Sequence, residues 1–285
     1  MDIAPITARE RAQIDAANAA DGAAVVLIHG PWTLAETWGP WQERLAARGF
    51  PSVAVEWPGE PESVEAARRA PDAIPDVGLK KARDHLMLVI RALSRTPYVV
   101  GHSIGGLLAQ QVAGKGLARA TVAIAPAPMQ GATPAPTTVL FAAAPVTGDR
   151  GNIDRIVRWS YEDFRHVWAG SLDADEARRL WETVHVAAPA RAMFELGASW
   201  LGPRPEATVD TVNPDRGPLL IVGAGQDALV VPALASATFR IQSRNPSPTD
   251  FVEFSDRGHT LVFDHGWAEV ADRVVEYLER QRSIA

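Results

Sequence analysis

The chain has 285 residues, of which 47% are hydrophobic and 22% charged, with a formal net charge of −6. That length suits one large domain, or one domain carrying a subdomain, at roughly 100–200 residues per domain, and it can bury a core without staples. Cysteine is absent, which removes disulfides, thiolate metal ligands and a cysteine nucleophile together; the acidic balance lacks the basic stripe of a nucleic-acid binder.

The start, Met1-Asp2-Ile3-Ala4-Pro5, has no basic region followed by an apolar one, as a secretory leader would. The longest apolar runs, such as Ala23–Ile28 and Leu219–Val222, are too short to cross a bilayer. A cytoplasmic location with no membrane partner is the expectation.

In chain order, Ala24–Ile28 is a continuous β-branched run of buried-strand length, ended by His29-Gly30-Pro31. Pro40–Arg48 predicts a helix stopped by Gly49, and Ser52–Val55 a short strand broken by Pro58-Gly59. Residues 60–76 are rich in Pro, Glu and Ala and predict a surface excursion. Apolar positions at Val77, Leu86, Val89, Ile90 and Leu93 suit one face of a helix. Tyr98–Val100 is a buried strand, a helix runs through Val112, and Thr121–Ile124 is the next strand. Strand-then-helix alternation of this kind builds a mostly parallel sheet with helices on both faces.

The alternation stops at about Pro126. Up to Gly217 the chain offers Pro/Gly-rich linker and helical segments over Tyr161–Ala169, Asp173–Val186 and Ala190–Trp200. Strands resume at Leu219–Val222 and Phe251–Phe254, and an amphipathic helix closes the chain from about Trp267 to Arg280. The expected organisation is an α/β core from 1–125 and 218–285, interrupted by a helical cap at 126–217.

Gly101-His102-Ser103-Ile104-Gly105 sits between the strand at Tyr98–Val100 and a helix-forming run. A serine held on so sharp a strand-to-helix turn needs very small residues two positions to either side, the pattern of a nucleophile elbow. Such a serine requires a base within hydrogen-bond reach and a carboxylate to fix the base's tautomer. Asp227 follows Leu219–Val222 at the end of Gly223-Ala224-Gly225-Gln226, and His259 follows Phe251–Phe254 within Asp256-Arg257-Gly258. Both lie at the carboxyl ends of parallel strands, where open α/β sheets collect their sites. Ser103 as nucleophile, His259 as base and Asp227 as orienting acid is therefore the expected triad. Asp256 is the competing acid. His29 is expected to hold its loop rather than to titrate in catalysis, and His102 to diverge from Ser103. His85, His166, His185 and His265 read as surface or satisfied polar groups. No spacing of the H-E-x-x-H kind occurs, so no metal is expected.

These motifs together resemble the α/β-hydrolase superfamily: His29-Gly30 after the early strand, GHSIGG at 101–106, GAGQD at 223–227 and DRGH at 256–259. The resemblance implies a mostly parallel eight-stranded sheet, a helical cap after the strand that follows the elbow, and no cofactor. Within the superfamily the chain looks most like small esterases and lactonases with a short lid. Tetrahedral acyl intermediates need backbone N–H donors. Ile104 is expected to supply one; the resemblance implies that the second comes from the residue after His29-Gly30, which here is Pro31 and has no N–H, so either Trp32 supplies it through a shifted loop or the site works with one donor. Gly30, Pro31, Trp32, Ile104, Phe164, Trp168 and Val230 are the expected pocket, with Trp159, Tyr161, Trp181, Phe194 and Trp200 completing the aromatic set of the cap. The expected substrate is a small-molecule ester or lactone with an apolar group, turned over through an acyl-enzyme by a monomer or homodimer. Pro31 leaves open acyl transfer, cyclisation or lyase chemistry on a secondary metabolite; a non-catalytic ligand-binding protein on the same fold is the remaining alternative.

Overall fold

The computed structural model describes residues 4–132, 136–198 and 206–284. In chain order the elements are α1 (Ala8–Ala19), β1 (Val25–Ile28), α2 (Gly39–Ala47), β2 (Ser52–Val55), α3 (Val64–Arg69), α4 (Leu79–Ala92), β3 (Tyr98–His102), α5 (Ile104–Gly114) and β4 (Thr121–Ile124). Then come α6 (Pro136–Thr147), β5 (Ile156–Val157), α7 (Tyr161–Val167), α8 (Ala174–Thr183), β6 (Ala188–Pro189) and α9 (Arg191–Ala198). The chain finishes with β7 (Leu219–Ala224), α10 (Pro232–Gln242), β8 (Thr249–Phe254) and α11 (Trp267–Ile284).

Six strands form one all-parallel sheet in the order β2-β1-β3-β4-β7-β8. Each of β1, β3 and β4 is buried along its whole length because helices cover both faces, which is why these strands read as unbroken apolar runs. One face carries Val26, Ile28, Val53, Val55 and Val99 against α1, α4 and α5. The opposite face carries Val25, Leu27, Val100, Val122 and Val222 against α2 and α11. Successive side chains of a strand point to opposite faces, so a run such as Val25–Ile28 feeds both cores at once.

The family resemblance implied eight strands; the described residues hold six in the main sheet. Ahead of β1 the chain spends its residues on α1, started by a capping box in which Thr7 Oγ1 accepts from Glu10 N and the Glu10 carboxylate accepts from Thr7 N. The other two strands, β5 and β6, are two-residue pieces that pair only with each other, antiparallel. They lie with α6 to α9 in the long excursion between β4 and β7.

The strand order positions the site. β2 lies on one side of β1 and β3 on the other, so the chain reverses its direction of winding between β1 and β3. A crevice opens at such a reversal, beyond the carboxyl ends of the strands. Pairing of Ile28 with Gly101 and of His102 with Ile124 sets the exits of β1, β3 and β4 side by side. No helix among the described residues is long and apolar enough to cross a membrane.

Candidate active site

Ser103 is the hinge between β3 and α5, with φ 58° and ψ −124°. A non-glycine residue in that region is strained and persists only where its surroundings over-determine it. Here they do. Ser103 N donates to Ile124 O, and Ser103 O accepts from Gly106, Leu107 and Ala127 N–H groups. The glycines are dictated by space: a Cβ at Gly101 would lie 2.1 Å from Gly105 O, and one at Gly105 would lie 2.2 Å from Ile28 O.

From this turn Ser103 Oγ reaches His259 Nε2 at 3.0 Å, and His259 Nδ1 reaches Asp227 Oδ2 at 2.7 Å. All three side chains are buried. With Nδ1–H donated to the carboxylate, Nε2 is the acceptor for the serine hydroxyl, the tautomer a general base needs. The other oxygen of Asp227 accepts from Leu229 N and Val230 N, each at 2.8 Å, which fixes the carboxylate at the tip of β7. Asp256, the competing acid, is exposed and lies near Arg257.

Two other histidines near the site act on backbone. His102 Nε2 donates to His259 O at 2.9 Å, and the two rings lie 4.8 Å apart. Burial holds the His102 pKa well below the usual histidine value, and the neighbouring His259 adds to this, so the ring is neutral and serves as a donor to the histidine loop. His29 Nδ1 donates to Gly30 O, and its Nε2 lies 2.8 Å from Glu60 Oε2. Burial disfavours charge on His29, but the Glu60 carboxylate and the Gly30 carbonyl outweigh it and the pKa is raised. Glu60 also accepts from Ala35 N and Trp57 N. The loop after β1 is thus clamped from beneath by a buried ion pair; Glu60 carries no sequence pattern that would have flagged it.

Trp32 takes φ 70°, the left-handed region, directly after Pro31. Its indole Nε1 donates to Val157 O and its carbonyl accepts from Val186 N, so both backbone and ring are tied to the excursion between β4 and β7. The ring meets Trp159 and Trp168 edge-on. Trp168 in turn meets His259 edge-on, with ring centres 4.8 Å apart. The N–H groups of Trp32 and Ile104 bond to no other group among the described residues.

A cavity of about 780 Å³ opens over Ser103. Of the residues expected in a pocket, Pro31, Trp32, Ile104, Trp168 and Val230 line it. Gly30 and Phe164 do not. Gly30 lies under the serine, where a Cβ would stand 3.5 Å from both Ser103 Oγ and Ile104 N. Phe164 stacks behind Trp168 in the apolar centre of the excursion, with Trp159, Leu180 and Val167. Phe194, one of the aromatic set noted in the sequence, also lines the cavity, and Met193, Leu196 and Leu229 join the wall without having stood out, since their periodicity marks a buried face and not what it faces. Trp200 lies outside the described residues. Among the described residues no cluster of His, Asp and Glu could hold a metal.

A model of the alpha/beta hydrolase family matches residues 25–273. The chain belongs to that family. Among solved structures it is similar to a monoacylglycerol lipase from Paleococcus ferrophilus, at 22% identity over 91% of this chain and 96% of that one, with a TM-score of 0.63. It is also similar to a methylesterase from Arabidopsis (19% identity, 93% and 100% covered, TM-score 0.60). A third is a pyrethroid hydrolase from Sphingobium faniae JZ-2 (14%, 90% and 97%, TM-score 0.61). At these identities the likeness is one of fold. No curated protein sequence matches the chain.

Proposed function

We propose that this alpha/beta hydrolase is a serine hydrolase that cleaves a carboxylic ester or lactone bearing an apolar group, through an acyl-enzyme on Ser103. The observation that carries the reading is the buried line Ser103 Oγ, His259, Asp227, at 3.0 and 2.7 Å, opening into an apolar cavity. His259 Nε2 accepts the Ser103 proton as Oγ attacks the carbonyl carbon, and passes it to the leaving alcohol oxygen when the tetrahedral intermediate collapses. Water then gives a proton to the same nitrogen as its oxygen attacks the acyl carbon, and the second intermediate collapses to the free acid as Nε2 returns that proton to Ser103 Oγ. Asp227 holds the tautomer and offsets the charge on the imidazolium.

The developing oxyanion needs donors that are already in place. The unspent N–H groups of Ile104 and Trp32 are the two we assign, the first with the added field of the α5 N-terminus. Pro31 cannot donate, and the left-handed turn at Trp32 is the adjustment that brings the next amide into use. With Trp32 as the second donor, Pro31 no longer argues against acyl-enzyme chemistry on Ser103. The excursion at 126–217 is read as the cap, because its α6 and α9 wall the cavity. The names of the lipase, the methylesterase and the pyrethroid hydrolase agree with ester cleavage in this fold.

The test is Ser103→Ala. It is expected to abolish turnover of p-nitrophenyl esters and labelling by a fluorophosphonate, while circular dichroism and the melting temperature stay near those of the parent. Turnover retained in that variant would sink the assignment.

A further inference from the structure

The cavity over Ser103 is apolar nearly throughout. Among the described lining residues only Ser103, Thr147 and Arg150 carry a polar group on an aliphatic chain. Thr147 Oγ1 donates back to Ala143 O, so its proton is already engaged within α6. Arg150 is the only charged residue on the described wall; no Asp, Glu, Lys or His accompanies it there.

Arg150 stands on the short helical turn Arg150–Asp154, exposed at the rim beside Ile153. Its flanking carboxylates are occupied elsewhere. Asp149 caps the turn by accepting from Gly151 N at 2.8 Å and faces Arg155 at 4.0 Å. Asp154 pairs with Arg191. No carboxylate of the described residues pairs with Arg150, and no ring lies under it. An uncompensated guanidinium at the mouth of an apolar cavity suits an anionic ligand: its planar fork donates two parallel hydrogen bonds to a carboxylate.

We propose that the substrates are esters whose apolar body ends in an anionic group, with the scissile carbonyl at Ser103 and the anion held by Arg150 at the rim. This rests on the hydrolase reading and adds to it a substrate class: hemi-esters of long dicarboxylic acids and amphipathic esters of the same charge pattern. The apolar wall between the two polar points takes the hydrocarbon, which gains from burial but not from direction. The two ends supply the direction.

The experiment uses p-nitrophenyl hemi-esters from adipate through dodecanedioate, each beside its neutral methyl-capped partner. In the parent enzyme the ratio of kcat/KM, anionic over neutral, is expected to peak at one chain length and to fall as salt is raised. In Arg150→Gln that ratio drops by about two- to fivefold, the range of an exposed charged pair. Arg150→Lys falls between the two, since it keeps the charge and loses the planar fork. Equal ratios in the parent and the Gln variant overturn the inference.

A binding measurement separates this failure from failure of the hydrolase reading. Ser103→Ala is titrated, by quenching of its tryptophan fluorescence, with the monomethyl and dimethyl esters of dodecanedioic acid. Tighter binding of the monomethyl ester, lost in the Ser103→Ala/Arg150→Gln double variant, upholds the anion subsite even if the parent hydrolyses no ester. Hydrolysis without any charge preference in either measurement sinks the subsite and leaves the hydrolase reading standing.

Discussion

Replacing Asp227 by Asn tests the proposed machinery more sharply than removing the serine, because the two oxygens of Asp227 have different duties. Oδ1 accepts from Leu229 N and Val230 N at 2.8 Å each, and Oδ2 accepts from His259 Nδ1–H at 2.7 Å. An asparagine has one acceptor oxygen, and two backbone donors compete for it against one imidazole. If the amide oxygen stays with Leu229 and Val230, the NH2 group faces His259 Nδ1. The ring must then carry its proton on Nε2, pointing at Ser103, and cannot act as base. The amide could flip to restore the working tautomer, but two buried N–H donors would be left unmet at about 1–3 kcal/mol each. That cost of about 2–6 kcal/mol holds the competent flip to between about one molecule in thirty and one in twenty thousand. The equivalent change in a serine protease triad costs about 10⁴ in kcat, inside this window. We therefore expect Asp227→Asn to lower kcat/KM for p-nitrophenyl butyrate by at least about thirtyfold, towards 10⁴-fold. The melting temperature should change little, since no bond to Leu229 or Val230 is lost. A loss of less than tenfold in a folded variant would refute the reasoning.

Two further substitutions test the surroundings of the site. Gly105→Ala would bring a Cβ on α5 to 2.2 Å from the carbonyl oxygen of Ile28 at the end of β1, where both are backbone of buried elements and neither can give way. It should destabilise by about 3 kcal/mol or more in urea titration; a change within about 0.5 kcal/mol would contradict the packing described. His185 is buried, its ring nitrogens have no hydrogen-bond partner among the described residues, and burial with the nearby Arg158 and Arg68 depresses its pKa well below 6.5. It stays neutral when folded but takes a proton when unfolded, so its contribution is complete above pH 6.5 and is lost as pH falls below it. His185→Phe should remove up to about 1.4 kcal/mol per pH unit from that acid loss. Unfolding free energies at a mildly alkaline and a mildly acidic pH, in parent and variant, check it; identical pH slopes would count against a neutral buried ring.

That Ser103, Asp227 and His259 meet was legible in the sequence because each follows the carboxyl end of a strand, and a buried parallel strand announces itself. Val99, Val122 and Ile221 are buried on both faces of their sheet, so their segments need no alternation to be recognised, and the residues just beyond them inherit a known edge of the sheet. Where helices carry polar groups inward, the same reading failed. α1 passed unnoticed because its inward face holds Glu10 along with Ile14 and Ala17; Glu10 is buried against His85 Nε2 at 2.9 Å, and no periodic rule anticipates a buried ion pair formed across 75 positions. α10 was missed for a related reason: Thr238 and Gln242 lie fully buried on it, Gln242 donating to Gln110.

The pocket shows the remaining limit. Phe164 and Trp168 stand four apart, which puts them on one helical face and makes them equivalent to any pattern read from the chain. The structure separates them, because Trp168 leaves α7 at its C-terminal end and meets His259, while Phe164 stacks on the far side of that indole. The difference arises from where α7 lies relative to β8 and its following loop, and that placement is fixed by contacts outside α7. Glu176 on α8 accepts from His265 N and faces His265 Nδ1, both at 2.7 Å, and Ser171 lies so close to Gly258 that a Cβ there would stand 2.7 Å from its hydroxyl. The excursion is thus fastened by hydrogen bonds to the loop beyond His259 and packed close against the residue before it. Which aromatic roofs the serine follows from that fastening, and a sequence can show the aromatics without showing the fastening.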